Sequence, residues 1–314
     1  MTPNDIANNI SVAILMGTFN GEKYIREQIN SIIKQEFTNW TLYISDDGSR
    51  DSTIDIIESY KNLLPGNKIQ LLNGPSKGFS INFMNLASDS RIKADYYFFS
   101  DQDDLWLPNK ISNALCSQIF KDVSMPSLYC GSTLLGDESG KVYGKSIAPS
   151  FPCSFRNALV QCVAGGNTMA FNQAFKDIME KVGLTNVVSH DWWLYQLVTG
   201  IGGNFYYDPI PTIIYRQHPE ALVGANTSIA KKIDRIRMVL NGRFMRWNLI
   251  NIEALDKAKT LLTNEHLQIL DLFIKLRSAK SMKDRFRLLN VSGIYRQGKM
   301  STFALFLSVL LRKI

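Results

Sequence analysis

Tyr96-Tyr97-Phe98-Phe99-Ser100-Asp101-Gln102-Asp103-Asp104 sets an apolar run of strand length directly against three carboxylates. The aromatic stretch is short for a helix and suits a pleated, buried strand. The three acids that follow repel one another unless a cation is present. A hard divalent ion such as Mg²⁺ or Mn²⁺ takes few protein carboxylates and shares its other positions with water and substrate phosphates. The segment therefore predicts a strand that ends in a metal and diphosphate site, rather than in a solvated acidic turn.

Upstream, the same alternation repeats. Ser11–Met16 (SVAILM) reads as a short buried strand, and Tyr24–Lys34 follows with Ile25, Ile29, Ile32 and Ile33 at helical spacing. Trp40–Ser45 and Ile69–Leu72 predict further strands, Ser52–Tyr60 and Phe79–Ala87 further helices. Strands alternating with helices imply right-handed βαβ units and a doubly wound, mostly parallel α/β sheet. Ligands of such sheets bind beyond the carboxyl ends of the strands, so the residues just after each strand are the ones to weigh. The second strand runs into Asp46-Asp47-Gly48-Ser49, a second acidic cluster. On a purely local reading, Asp47-Gly48 turns the chain there and Asp51 or Ser52 caps the next helix. No G-x-x-x-x-G-K-[ST] and no G-x-G-x-x-G follows the first strand, which excludes a P-loop and a dinucleotide fingerprint. Phosphate is then left to a metal and to cationic side chains.

Over 314 residues, 45% hydrophobic and 20% charged content is ordinary globular composition. The opening residues lack a basic, apolar leader, so no secretory signal is expected. No apolar stretch reaches the roughly 18 residues of a spanning helix. Cys116, Cys130, Cys153 and Cys162 have no metal spacing and read as buried reduced thiols. Charge is uneven. From Ser228 onward 18 Lys and Arg stand against 6 Asp and Glu, a net +12 that leaves −5 on residues 1–227. Helices are expected at Gln173–Lys181 and Trp192–Val198, and throughout from Ile229 on, where Ile229, Ile233, Ile236 and Leu240 form a stripe among Lys231, Lys232, Arg235 and Arg237. Asn248–Leu262, Glu265–Leu276 and Thr302–Leu311 are further helical spans. A domain boundary is expected near Gly224–Ser228. The basic tail fits attraction to an anionic membrane surface, with Phe303, Leu305, Phe306, Leu307, Val309, Leu310 and Leu311 inserting shallowly. Nucleic acid ranks last as a partner, because the tail carries no recognition motif.

Two more segments stand out. His190-Asp191-Trp192-Trp193 opens a helix in which Asp191 is either its cap or a base, and Tyr215-Arg216-Gln217-His218 follows a strand. Thr18-Phe19-Asn20-Gly21, Asp46 to Ser52, Lys77-Gly78 with Asn82, and Asp101 to Asp104 together resemble the ordered motifs of family-2 glycosyltransferases. The likeness runs from about Ser11 to Gly224, and His-Asp-Trp-Trp with Tyr-Arg-Gln-His resembles rhamnosyltransferase-like members. The resemblance implies a GT-A domain over residues 1–225, followed by a basic helical region over 226–314. By the same likeness Thr18, Asn20 and Lys77 sit against the nucleotide, and Asp46 or Asp47 accepts from the ring N–H of the base. Asp101 and Asp103 form the D-x-D with Asp103 the direct metal ligand, Asp191 is the catalytic base, and Arg216 and His218 face the leaving diphosphate or its metal. Such members usually continue His-Gly-x-Asn, where this chain has His218-Pro219-Glu220-Ala221.

These readings together predict inverting transfer of a hexose from a nucleoside-diphosphate sugar, with a divalent metal, to a saccharide acceptor. dTDP-L-rhamnose is the first donor and a UDP-sugar the second. The resemblance and the tail point to a lipid-linked acceptor of bacterial surface polysaccharide at the cytoplasmic membrane face. An Asp-x-Asp phosphotransferase or phosphohydrolase and a non-catalytic nucleotide-sugar-binding module are the rival classes; the first gives Asp46–Ser49 no role, the second leaves Asp191 unexplained.

Overall fold

The computed structural model describes residues 10–218 and 242–314. The chain divides into two compact units that interleave in sequence. The first gathers the described residues of Met1–Ala148, Ala164–Leu184 and Tyr206–Gly224; the second gathers those of Pro149–Val163, Thr185–Phe205 and Ala225–Ile314. The boundary expected near Gly224–Ser228 and the Ile229–Leu240 stripe lie outside the described residues.

In the first unit β1 (Val12–Thr18), α1 (Ile25–Ile33), β2 (Trp40–Asp46), α2 (Thr53–Leu63), β3 (Ile69–Asn73), α3 (Phe79–Ala87) and β4 (Tyr96–Ser100) follow the expected alternation to within three residues. Val12, Ile14 and Met16 pack one face of β1 against Ile25, Ile29 and Ile32 of α1 and Ile57 of α2. On the other face Phe83 of α3 meets Phe99 edge-on at 5.3 Å. With both faces covered, the strands read as continuous apolar runs. Each aliphatic side chain so buried contributes about 1.5–3 kcal/mol.

β4, β1, β2 and β3 are parallel neighbours in that order. Because β1 lies between β2 and β4, strand order reverses beside it, and the crevice opens beyond the carboxyl ends of these strands. Register sets Thr18 opposite Asp46 and Met16 opposite Ser100, which brings both acidic clusters to that edge. The sheet is mixed beyond β4. After β5 (Leu105–Trp106), α4 (Lys110–Leu115), β6 (Ser127–Gly131), β7 (Leu134–Gly136) and β8 (Val142–Lys145), β9 (Ala170–Asn172) pairs antiparallel with both β4 and β6. α6 (Gln173–Val182) then follows β9, and β10 (Asn204–Asp208) lies at the sheet edge. A second sheet, in the order β5-β11-β7-β8, is completed by β11 (Ile213–Arg216).

The second unit is helical, with α5 (Phe155–Ala158), α7 (His190–Gly200), α8 (Arg243–Lys257), α9 (Asn264–Ser278), α10 (Met282–Ser292) and α11 (Lys299–Leu310) among the described residues. Trp192 Nε1 and Gln196 Nε2 of α7 both donate to Ala158 O at the end of α5, at 2.7 and 3.1 Å. Thr263 caps α9 by accepting from His266 N, and Ser281 caps α10 by accepting from Asp284 N.

Two expectations need correction. Leu305 and Val309 are core residues at 2% and 0% exposure, so they cannot insert anywhere; the exposed apolar line of α11 and its C-terminal end is Met300, Phe303, Leu307 and Leu311. The four cysteines are free, but Cys130 alone is buried and Cys116 is at the surface.

Candidate active site

At the end of β2 the two aspartates separate into different tasks. Asp46 is saturated by its own loop and by the end of β1: Oδ1 accepts from Thr18 Oγ1 at 2.9 Å and Ser49 Oγ at 2.5 Å, and Oδ2 accepts from Ser49 N at 2.8 Å and Gly48 N at 3.1 Å. Thr18 is thereby turned inward and buried. Gly48, at φ +97°, supplies the left-handed turn this wrap requires. Asp47 is different. Its Oδ2 accepts from Gly78 N at 2.7 Å, whereas Oδ1 is buried with no hydrogen-bond partner. A buried carboxylate oxygen without a donor costs free energy, of order 1–3 kcal/mol, unless a ligand supplies one.

Asn20, at φ +48°, ties the β1 loop to the β2 loop, its N donating to Ser49 Oγ at 2.8 Å and its Oδ1 accepting from Arg50 N at 2.9 Å. Lys77 is exposed beside Gly78, and Asn82, quoted with it, is a buried clamp on Ser45. On the local reading a cap at 51 or 52 was expected. Asp51 takes the task, its Oδ1 accepting from Thr53 N at 3.0 Å, while Ser52 makes no side-chain cap bond.

At the end of β4, Asp101, Asp103 and Asp104 each bring a carboxylate oxygen within 4.8 Å of the others. Three hard oxygen donors so close, two half-buried and one buried, fit a hard divalent cation by both charge and donor type. Asp104 is fully buried, held by Asn167 Nδ2 at 2.6 Å and Arg216 N at 3.3 Å. Burial, then the Asp103 carboxylate, pushes its carboxyl well above the usual range. Lys110 lies behind it, donating to Asn167 O at 3.1 Å and sitting 4.7 Å over the Trp106 ring; burial pulls its ammonium down to about 8, against the attraction of Asp104 and Asp101.

The antiparallel pairing of β11 with β5 brings residues 216 and 218 to this loop, 112 or more positions away in sequence. Arg216 is buried and directs three of its five N–H groups into protein: Nε to Asp103 O at 2.9 Å, Nη1 to Glu138 O at 2.6 Å and Nη2 to Glu27 at 2.5 Å. His218 Nε2 meets Asp103 Oδ2 at 2.9 Å, and its ring packs 4.6 Å from that of Tyr24. The three mutually close donors are thus carboxylates, with His218 holding one of them.

Gln102 is the residue between the two aspartates of the D-x-D. Its Oε1 accepts from Phe19 N at 2.9 Å and its Nε2 donates to Phe19 O at 3.0 Å, so the middle residue of Asp-x-Asp clamps the loop after β1. A Cβ on Gly21 would lie 2.3 Å from Gln102 Oε1, so a larger residue there would push the Gln102 amide off Phe19. Nothing in the residue type signals this clamp; only the adjacency of β1 and β4 does.

Asp191 belongs to the second unit. It lies in the first turn of α7, half-buried, accepting from Trp192 N at 2.7 Å, and the cap position belongs to Ser189 instead. Trp193 is a core residue, and Trp192 packs edge-on against Trp247 at 6.3 Å.

A doubly wound sheet with an acidic cluster beyond each of the two strands that flank β1 fits the GT-A glycosyltransferase architecture that the motifs imply. The sequence model described as Glycosyl transferase family 2 matches residues 13–177, and the chain belongs to that family. The dTDP-rhamnosyl transferase RfbG of Shigella flexneri is 34% identical over 72% of this chain and 79% of its own length. The UDP-Glc:alpha-D-GlcNAc-diphosphoundecaprenol beta-1,3-glucosyltransferase WfgD of Escherichia coli is 25% identical over 52% of this chain and 60% of its own. The solved structure of Staphylococcus aureus TarS 1-349 in complex with UDP-GlcNAc shares the fold, with a TM-score of 0.53 at 14% identity, covering 90% of this chain and 79% of that one. Membership makes the protein a transferase, and the phosphohydrolase and binding-module readings give way to it. No helix among the described residues is long and apolar enough to cross a membrane.

Proposed function

We propose that the protein is an inverting hexosyltransferase that moves L-rhamnose from dTDP-L-rhamnose, or failing that a sugar from its UDP donor, onto a lipid-linked saccharide acceptor. The observation that carries the donor class is the buried, donor-less Asp47 Oδ1 at the end of β2, with the Asp101–Asp104 cluster at the end of β4 on the same edge of the sheet. Thymine and uracil each present a ring N–H to such an oxygen; cytosine presents a lone pair. The likeness to a dTDP-rhamnosyl transferase supports rhamnose. Asp47 then reads the base and Asp46 builds the loop around it. Asn20 and Lys77 flank the nucleotide, while Arg216 acts through Asp103.

Asp103, with Asp101 and Asp104, would hold a divalent ion, which would supply positive charge to the leaving diphosphate. His218 and Arg216 fix Asp103 from side chain and backbone. Asp191 takes the proton of the acceptor hydroxyl while its oxygen bonds to the sugar C1, and the C1–oxygen bond to the nucleoside diphosphate breaks with its electron pair on the phosphate.

Asp47→Ala should weaken dTDP binding by about 10–150-fold, the scale of about 1.5–3 kcal/mol for a hydrogen bond to a charged group, with CDP already weak on the unaltered protein. Isothermal titration with dTDP, UDP and CDP measures it, and equal affinity for CDP and UDP would sink the base-reading role. Gln102→Ala frees the loop after β1 from the metal cluster. It should raise the donor KM about tenfold, the scale of two lost hydrogen bonds, with a smaller change in kcat. An unchanged KM at saturating metal removes the clamp from the mechanism.

The same reading sets the protein at the inner face of the cell membrane. Supporting it are the +12 charge from Ser228 onward and the exposed line Met300, Phe303, Leu307 and Leu311. Deleting α11 would open the core at Leu305 and Val309, so Phe303→Glu with Leu307→Glu is the cleaner test. The pair should abolish sedimentation with phosphatidylglycerol vesicles at physiological salt while leaving donor hydrolysis intact. Undiminished sedimentation refutes the membrane face.

A further inference from the structure

The second unit contains a cavity of about 490 Å³ lined by Phe151, Pro152, Tyr295, Lys299 and Thr302. That volume lies within the roughly 300–1,000 Å³ of small-molecule sites. Its walls are braced from behind. Gln297 Oε1 accepts from Ser150 N and Phe151 N at 3.0 and 2.8 Å, and Gln297 Nε2 donates back to Phe151 O at 3.1 Å. The Tyr295 hydroxyl donates to Pro152 O, and its ring meets Phe151 edge-on at 6.3 Å.

The lining's polar groups decide what fits. Tyr295 OH is committed to Pro152 O and to Ser154 Oγ at 2.8 Å. Thr302 Oγ1 donates to Arg296 O at 2.7 Å and accepts from Arg296 N at 3.1 Å. The Lys299 ammonium is exposed and closes on no partner among the described residues. A sugar ring brings many hydroxyls that would find one cation and no acceptor here. An apolar chain ending in an anion matches the aromatic walls and the lysine together. Lys299 and Thr302 stand on α11, which also carries the exposed Phe303 and Leu307.

We propose that this cavity holds the phosphate-proximal part of one isoprenoid chain, the carrier end of a lipid-linked acceptor, with its phosphate on Lys299. This rests on the acceptor class proposed above and adds a subsite to it. The Lys299 ammonium supplies attraction to the phosphate, and Phe151, Pro152 and Tyr295 supply apolar contact to the first prenyl units.

Farnesyl phosphate titrated calorimetrically into the full chain in EDTA tests it, the chelator keeping the lipid phosphate off the Asp101–Asp104 cluster. Saturable binding is expected, with farnesol, inorganic phosphate and dodecyl phosphate each at least about tenfold weaker. Lys299→Glu should cost farnesyl phosphate about tenfold and leave farnesol unchanged, whereas Phe151→Ala should weaken both; melting curves check that both variants fold. In a parallel sample without chelator, dTDP with Mn²⁺ should not displace the bound lipid. Unchanged affinity in Lys299→Glu, dodecyl phosphate binding as tightly, or displacement by dTDP overturns the proposal. Binding of dTDP to the same variants reports separately on the donor: its loss in the unaltered protein, with farnesyl phosphate still bound, would refute the donor reading and spare the cavity.

Discussion

Asp191→Asn is expected to bind dTDP as tightly as the unaltered protein while losing about 10²–10⁴-fold in turnover, the range contributed by a positioned general base. The substitution preserves shape and removes only the capacity to accept a proton. Asp191 Oδ1 accepts from Trp192 N at 2.7 Å, and Oδ2 makes no hydrogen bond among the described residues, so an oxygen is available to an acceptor hydroxyl. An Asn Oδ1 can keep the bond from Trp192 N, so only the carboxylate's charge at the head of α7 is lost, about 0.3–1 kcal/mol, and the melting temperature should barely move. Initial rates with a soluble saccharide acceptor, set beside calorimetric dTDP affinities, separate the two effects. Turnover within a factor of a few of normal would end the case for Asp191 as base.

The second large effect falls on the metal. Asp103→Ala is expected to lower transfer by at least about 10³-fold, since charge stabilisation by a bound cation supplies several kcal/mol. It should also erase the difference that EDTA makes. His218→Ala leaves the carboxylates in place but releases Asp103 Oδ2 from its 2.9 Å contact, so a milder loss of about 10–100-fold is expected, with weaker apparent Mn²⁺ affinity. Metal titrations of activity across the three proteins provide the measurement. If the unaltered enzyme turns over equally in EDTA, the cluster at 101–104 has another purpose.

Much of the first unit was legible in the chain. Periodicity reports burial within one element, so β4 and α3 fall on Tyr96–Ser100 and Phe79–Ala87, the spans that periodicity predicts. The crevice rule needs only strand order, and it pointed to Asp46–Ser49 and Asp101–Asp104 before any contact was known. The antiparallel β9 inside the sheet was not visible, because a three-residue strand carries too little pattern to assign a direction.

What local pattern cannot hold is the identity of a hydrogen-bond partner some 30 or 110 residues away. Asp46 and Asp47 are the same residue type in adjacent positions, and the sequence left the base acceptor open between them. Tertiary packing separated them, by surrounding Asp46 with Thr18, Gly48 and Ser49 and leaving Asp47 Oδ1 buried and donor-less. The Gln102 clamp on Phe19 exists because β1 and β4 are neighbours in the sheet, and Arg216 and His218 reach Asp103 because β11 pairs with β5. On α11 the composition announced an apolar helix, but only packing decided that Leu305 and Val309 turn inward while Phe303 and Leu307 stay outside. Sequence fixes which side chains an element carries; the neighbours of that element fix which of their atoms remain free for a ligand.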